Sequence, residues 1–225
     1  MKTIKGVFPN RVSDSWWECP VWEVDTEFTS EFNLDLEQEI YNIGQLINSN
    51  TDTRSSLWDY DLPCLTQLKE YIYQTVTSAV PELMPPNQRV TFDYIMSWVN
   101  VKEPGDHIET HAHPDATIAA TYYIRTSPGC GNLTLFDAGP GLNWERDMLN
   151  GTIPLRIKQI EPRAGKLVFF PAYVLHRIEE NKSNDLRISL STDMKHTFDP
   201  DSPGVPVLKS WCDSMLKIKE WQATR

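Results

Sequence analysis

Apolar residues recur along this chain with two different periods, and the change of period divides it. Over 34–49, Leu36, Ile40, Ile43, Leu46 and Ile47 follow one helical face. Over 64–80, Leu65, Leu68, Ile72, Val76 and Val80 form a second stripe, which Pro81 stops. From about 89 the period becomes two: Val90, Phe92, Tyr94, Met96, Trp98 and Asn100 alternate with Thr91, Asp93 and Ser97. Further strands are predicted over 117–125, 133–136, 155–160, 167–170, 174–178 and 186–192. Turn-forming stretches such as Pro104-Gly105-Asp106, Ser127-Pro128-Gly129 and Arg163-Ala164-Gly165 separate them. No helical pattern interrupts this run. Short strands between close turns predict an antiparallel sandwich or barrel such as a jelly roll. The class expected is α+β: mainly β, with N-terminal helices packed on the β core.

The rest of the pattern is less regular. Residues 1–33 are rich in aromatics (Phe8, Trp16, Trp17, Trp22, Phe28, Phe32) and read as an irregular arm or short strands covering an apolar surface. Residues 50–56 are a polar loop, and 138–153 form a long one; loops of that length are usually functional or disordered. Residues 210–222 suit a final amphipathic helix. A single domain is expected, with an arm and two helices over 1–88, a β core over 89–194 and an extension over 195–225.

Composition narrows the partners. The chain has 225 residues, 40% of them hydrophobic, enough for a real core. Its net charge is −10 and no basic run is visible, so a nucleic-acid backbone is not expected as a partner. The N-terminus has no apolar h-region, and no segment approaches the ~18–20 apolar residues of a membrane span. A cytoplasmic location is therefore expected, with no membrane partner. Cys19, Cys64, Cys130 and Cys212 are scattered with no Cys-x-x-Cys pair, and read as free thiols. No feature fixes an oligomeric state.

Candidate chemistry concentrates in Trp98 to Asp115. Three of the five histidines, His107, His111 and His113, fall there beside Glu109 and Asp115. Histidine is the commonest metal ligand among side chains. His111 and His113 are two apart, so an extended backbone points both into one mouth. His176, beyond the strand that starts after Gly165, is the candidate distant ligand. His196 is read as a solvated histidine past the last core strand. Arg187 lies in an otherwise apolar alternating strand, which is costly unless an anion meets it. Ser189 shares its face, and a guanidinium fork suits a carboxylate. Asn100, on the face of Trp98, is a candidate inward polar contact. Three ligands on one side of a metal leave positions open, and Arg187 would hold a small dicarboxylate chelating it.

These pieces stand in a fixed order: Trp98-x-Asn100, Pro104-Gly105, His111-Ala112-His113-Pro114, Tyr122-Tyr123, Gly165 to Pro171, His176, and Arg187-Ile188-Ser189. The ordered set resembles the non-haem iron(II), 2-oxoglutarate-dependent oxygenases with a double-stranded β-helix core. More narrowly, it is similar to a bacterial and phage group with a His-x-His-Pro motif. The resemblance covers roughly 90–194. It implies an oxidoreductase using Fe(II), 2-oxoglutarate and dioxygen, with His111, His113 and His176 as metal ligands. The far carboxylate of 2-oxoglutarate would lie on Arg187 and Ser189, with Tyr123 hydrogen-bonded to it. The reaction implied is oxidation, by default hydroxylation, of an unactivated C–H bond of a small molecule, amino acid or peptide, releasing succinate and carbon dioxide.

One departure matters. The wider superfamily uses His-x-Asp or His-x-Glu as its proximal pair, and here the second place is a histidine. Three ligand sets stay open: His111, His113 and His176; His107 and Glu109 as a regular His-x-Glu pair; or Asp115 as a ligand with one histidine outside. Asp115 or Glu109 is also placed to orient a ligand's second ring nitrogen. Two other functions compete: a cupin-like metal oxygenase or isomerase without 2-oxoglutarate, and a non-catalytic metal- or ligand-binding module. Arg187, eleven residues after His176, argues against the first.

Overall fold

The computed structural model describes residues 5–7, 20–44, 56–80, 90–136 and 157–198. Contacts divide the chain into two compact units, 1–69 with 94–195, and 70–93 with 196–225. Helix α1 spans Ser30–Asn42, a 3-10 turn spans Leu57–Asp59, and α2 spans Pro63–Ala79. The strands are β1 (Lys5–Val7), β2 (Pro20–Asp25), β3 (Val90–Lys102), β4 (Ile108–His111), β5 (Ile118–Arg125), β6 (Leu133–Phe136), β7 (Ile157–Ile160), β8 (Lys166–Pro171), β9 (Leu175–Ile178) and β10 (Arg187–Phe198). They form a six-stranded sheet in the order β1-β2-β8-β5-β10-β3 and a four-stranded sheet in the order β4-β9-β6-β7. No helix among the described residues is long and apolar enough to cross a membrane.

Local chemistry sets the helix ends. Thr29 caps α1 by accepting from the Phe32 amide at 3.1 Å, so the helix begins four residues before the expected 34. Asn33, Leu36 and Ile40 form its buried stripe. Gly44, at φ 76°, follows the last turn, while Leu46 and Ile47 of the expected helix lie outside the described residues. Pro63 opens α2, where its missing N–H costs nothing. The Glu39 carboxylate of α1 accepts from the next two amides, Cys64 and Leu65, at 3.0 Å each. An acid from one helix thereby satisfies the orphan donors of the other.

Of the expected strands, 133–136 matches β6, and the others differ by one or two residues at most ends. Three differences are larger. The strand β4 was not expected, because Ile-Glu-Thr-His carries one apolar residue in four positions and forms through pairing with β9. β3 buries Ser97 and Val99 on the face the alternation assigned to solvent. The Ser97 hydroxyl is satisfied there by Ser56 Oγ at 2.8 Å and the Trp58 amide at 3.1 Å. β10 runs to Phe198 instead of 192, so His196 lies within it and not past it. The long loop 138–153, the aromatic residues Phe8, Trp16 and Trp17, and the helix expected over 210–222 fall outside the described residues.

The core beneath the site is aliphatic and aromatic. Val21, Tyr123, Leu133, Leu135, Val168, Phe170, Ala172 and Val174 pack as one buried cluster. Trp22 stacks on Phe169 at 4.8 Å, across the β2–β8 pair. Two close approaches fix the rim. At Gly131, with φ 90°, a Cβ would lie 2.1 Å from the Glu179 carbonyl oxygen, so only glycine fits. Buried Asn181 donates its amide to the carbonyls of Lys102 and Asp185 at 3.0 and 2.8 Å. Its own carbonyl accepts from Gly105 N at 2.7 Å. That knot ties the Pro104-Gly105 turn, and hence the start of β4, to the segment that follows β9.

Candidate metal and carboxylate site

The pairing of β4 with β9 sets His111 directly opposite His176. Directly opposed strand residues have close Cβ atoms, and these two rings lie 4.3 Å apart, centroid to centroid. His113 stands two residues beyond β4. Its amide donates to the Ala172 carbonyl at 2.9 Å, which pins it beside the β8–β9 turn. Its ring lies 5.2 Å from His111 and 5.1 Å from His176. One potential ligand atom from each of the three lies within 4.8 Å of the others. Among the described residues this is the His/Cys/Asp/Glu group arranged to hold a metal ion.

The other ring nitrogens fix the tautomers. His111 Nδ1 meets the Glu109 carbonyl at 2.7 Å, and His176 Nδ1 meets the Val174 carbonyl at 2.9 Å. A carbonyl only accepts, so each Nδ1 carries the proton and each Nε2 keeps its lone pair. His113 Nδ1 meets both oxygens of Asp193, each at 2.8 Å. His113 Nε2 is buried without a hydrogen-bond partner among the described residues. An orphaned imidazole nitrogen facing two other imidazoles fits a metal well. Burial pushes the His176 pKa down to about 4; the Val174 carbonyl opposes this, and the neighbouring His111 and His113 add to it. His176 is therefore neutral at ordinary pH, as a ligand must be.

Around the triad lies a cavity of about 50 Å³. Apolar wall comes from Trp98, Ile108, Leu133, Phe170 and Ile178; polar groups come from Asn100, Thr121, Arg187, Ser191 and Asp193. Trp98 stacks on His113 at 5.6 Å and 21°, and Phe170 meets His176 edge-on at 4.9 Å. Arg187 is fully buried. Its Nη1 reaches Ser189 Oγ at 3.4 Å, while Nε and Nη2 have no partner among the described residues. Its guanidinium sits 5.2 Å from the ring centroid of Tyr123, whose hydroxyl is also buried without a partner. Burial raises the Tyr123 pKa, and the Arg187 charge pulls the other way. Asn100 donates to Ser191 Oγ at 2.9 Å, and Ser191 donates to Thr121 Oγ1 at 3.3 Å.

Other candidates lie elsewhere. His107 and Glu109 pair with each other at 3.0 Å on the surface, their side chains 55% and 89% exposed. Asp115 is exposed and outside the triad. Sequence reading missed Asp193 as the carboxylate on a histidine. The signal was available: Asp193 shares strand parity with Arg187, Ser189 and Ser191, but the expected strand stopped at 192. Ser191, which follows Ser189 with the same strand parity, lines the cavity, while Ser189 is buried against Arg187.

Comparison with known proteins agrees with this geometry. Residues 96–193 match the family model described as "Putative 2OG-Fe(II) oxygenase". The fold is similar to that of a prolyl-4-hydroxylase from Pseudomonas putida, with 16% identity, a TM-score of 0.52, and coverage of 78% of this chain and 86% of that one. It is also similar to the non-haem α-ketoglutarate-dependent carbocyclase SnoK of nogalamycin biosynthesis, at 14% identity, TM-score 0.55 and 83% coverage of both chains. A third similar structure, HygX from Streptomyces hygroscopicus with nickel and 2-oxoglutarate bound, shares 12% identity, with a TM-score of 0.50 and coverage of 78% and 82%. No curated protein sequence matches the chain. At such identities the structures speak for the fold, a double-stranded β-helix. The residues matched by the family model contain the whole triad, Arg187 and Asp193, so the part of the chain that carries the site is similar to the 2OG-Fe(II) oxygenases.

Proposed function

We propose that His111, His113 and His176 hold Fe(II), and that Arg187 binds the far carboxylate of 2-oxoglutarate beside it. The observation that carries this is Arg187: a fully buried guanidinium, two of whose nitrogens have no hydrogen-bond partner among the described residues, lining the cavity of the three histidines. A buried charge is expensive unless paired, so the site calls for an anion. The fork of Nε and Nη2 suits a carboxylate's two oxygens. Ser189 braces Nη1, and the Tyr123 hydroxyl is a further donor for the same anion. The Asn100–Ser191–Thr121 chain holds the polar wall in place. Bound iron and 2-oxoglutarate would supply oxidising power from dioxygen, yielding succinate and carbon dioxide.

The protein's own contribution is alignment and exclusion. The imidazoles, held at Nδ1 by the Glu109 and Val174 carbonyls and by the Asp193 carboxylate, turn their three Nε2 lone pairs toward one another. Trp98, Phe170, Ile108 and Ile178 give an apolar wall that keeps water from the reacting centre. The product expected is a hydroxylated C–H position on a small molecule, amino acid or peptide. Metal-free protein, given Fe(II) and then 2-oxoglutarate without air, should develop a visible charge-transfer band, and admitting air should yield succinate. The band should vanish in His176→Ala and in Arg187→Ala. Metal binding with no band in the unaltered protein would reject the 2-oxoglutarate reading.

A further inference from the structure

The three imidazoles are not held alike. His111 and His176 each give Nδ1–H to a neutral backbone carbonyl two residues earlier in the chain, at 2.7 and 2.9 Å. His113 alone of the three meets a carboxylate, and both oxygens of Asp193 stand 2.8 Å from its Nδ1. The two side chains are 13% and 17% exposed, so solvent screens this pair little. Asp193 comes from β10, 80 positions away, on the face that also carries Arg187 and Ser191 into the cavity. Trp98 covers one face of the His113 ring. The ring is thus fixed at its edge by a charge and on its face by an indole, while its buried Nε2 points at the other two histidines.

This matters because three neutral histidines bring no charge to a divalent metal, whereas a carboxylate ligand would bring one. We infer that Asp193 supplies that negative charge through His113, as a positioning residue that makes His113 the most basic of the three ligands. A carboxylate on the far nitrogen of a metal-bound imidazole fixes its tautomer and raises its donor strength. The charge sits one imidazole away from the metal instead of upon it. The site then keeps a charge balance close to that of a two-histidine, one-carboxylate set. The inference rests on the proposed triad.

The test is an anaerobic titration of metal-free protein with Fe(II), alone and with 2-oxoglutarate, for wild type, Asp193→Asn and Asp193→Glu. Asparagine keeps the volume and an oxygen able to accept from Nδ1, and removes only the charge. Fe(II) affinity should fall ~10–100-fold in Asp193→Asn, and the visible band of the 2-oxoglutarate complex should move to shorter wavelength. Asp193→Glu should recover part of both. Wild-type affinity with an unmoved band in Asp193→Asn would overturn the inference, leaving Asp193 a packing residue. Loss of metal as complete as in His176→Ala would also overturn it, making Asp193 a ligand. Failure of the triad itself reads differently: wild-type Fe(II) binding would not depend on His176. If Asp193→Asn does not fold, proton NMR of the wild-type protein loaded with Zn(II) gives the answer. The His113 Nδ1 proton should resonate downfield of those of His111 and His176, and three equivalent positions would reject the idea.

Discussion

At the histidine side of the cavity every Nδ1 already has an oxygen, supplied by Glu109, Val174 or Asp193. At the arginine side, Arg187 Nε and Nη2 and the Tyr123 hydroxyl have none among the described residues. The first side is preorganised: its outward atoms are satisfied and its inward lone pairs are aligned before a metal arrives. The second is incomplete, storing the cost of a buried cation that an anion would relieve. Arg187→Met should pull the two apart most clearly. It removes the unpaired charge at similar volume, so the metal-free protein should melt at the same temperature or higher. Fe(II) binding should persist, while 2-oxoglutarate affinity falls by ~2–5 kcal/mol. Equal loss of metal and cosubstrate, read by calorimetry, would show that the two sides are not separable.

The histidine side has its own signature, in pH. The His176 pKa is lowered to about 4 from the 6.5 of an unperturbed histidine. The unfolded chain therefore binds a proton there that the folded, metal-free protein does not. The stability concerned is fully present above about pH 6.5 and is lost as pH falls toward 4. Its size is at most about 3 kcal/mol. Denaturant unfolding of metal-free protein at pH 7 and pH 5 should show this drop, and His176→Gln should flatten it. Parallel pH profiles for the two proteins would mean that His176 is not buried neutral. On the arginine side, Tyr123→Phe deletes an orphan hydroxyl without opening a void. Cosubstrate affinity should weaken by ~1 kcal/mol, with metal affinity unmoved; no change in either would remove Tyr123 from the anion's partners.

Much of this architecture was legible because it lies in short-range patterns. The stripe of Leu65, Leu68, Ile72 and Val76, the period-two run after 89 and the turn signals all report burial on one face. His111, His113, His176 and Arg187 were legible as an ordered set. What escaped was pairing across the fold. β4 exists because β9 is beside it, not because Ile-Glu-Thr-His favours a strand. Asp193 becomes a partner of His113 only once β10 runs past 192, six residues further than expected. Glu109 and Asp115 looked like the natural carboxylates because they are close in sequence, and sequence proximity is a poor guide where the strand pairing decides which side chains meet.

That contrast leads to the smallest expected effects. His107 and Glu109 are a histidine and an acid, as His113 and Asp193 are, and lie within four positions of His111, yet they pair with each other at the surface. An exposed polar pair of this kind contributes little, ~0–1 kcal/mol, and lies outside the triad. Glu109→Gln touches His111 only through the backbone carbonyl that receives its Nδ1–H, and the substitution leaves that carbonyl in place. Asp115→Asn alters an exposed carboxylate in the turn after His113. Each variant, titrated anaerobically with Fe(II), should bind the metal within about twofold of the unaltered protein. Loss of metal from Glu109→Gln would restore the His107–Glu109 ligand pair. Loss from Asp115→Asn would instead draw that carboxylate into the site and displace a histidine from it. Retention in both, with loss in His176→Ala, would leave the three histidines as the ligand set and Asp193 as the acid that acts behind them.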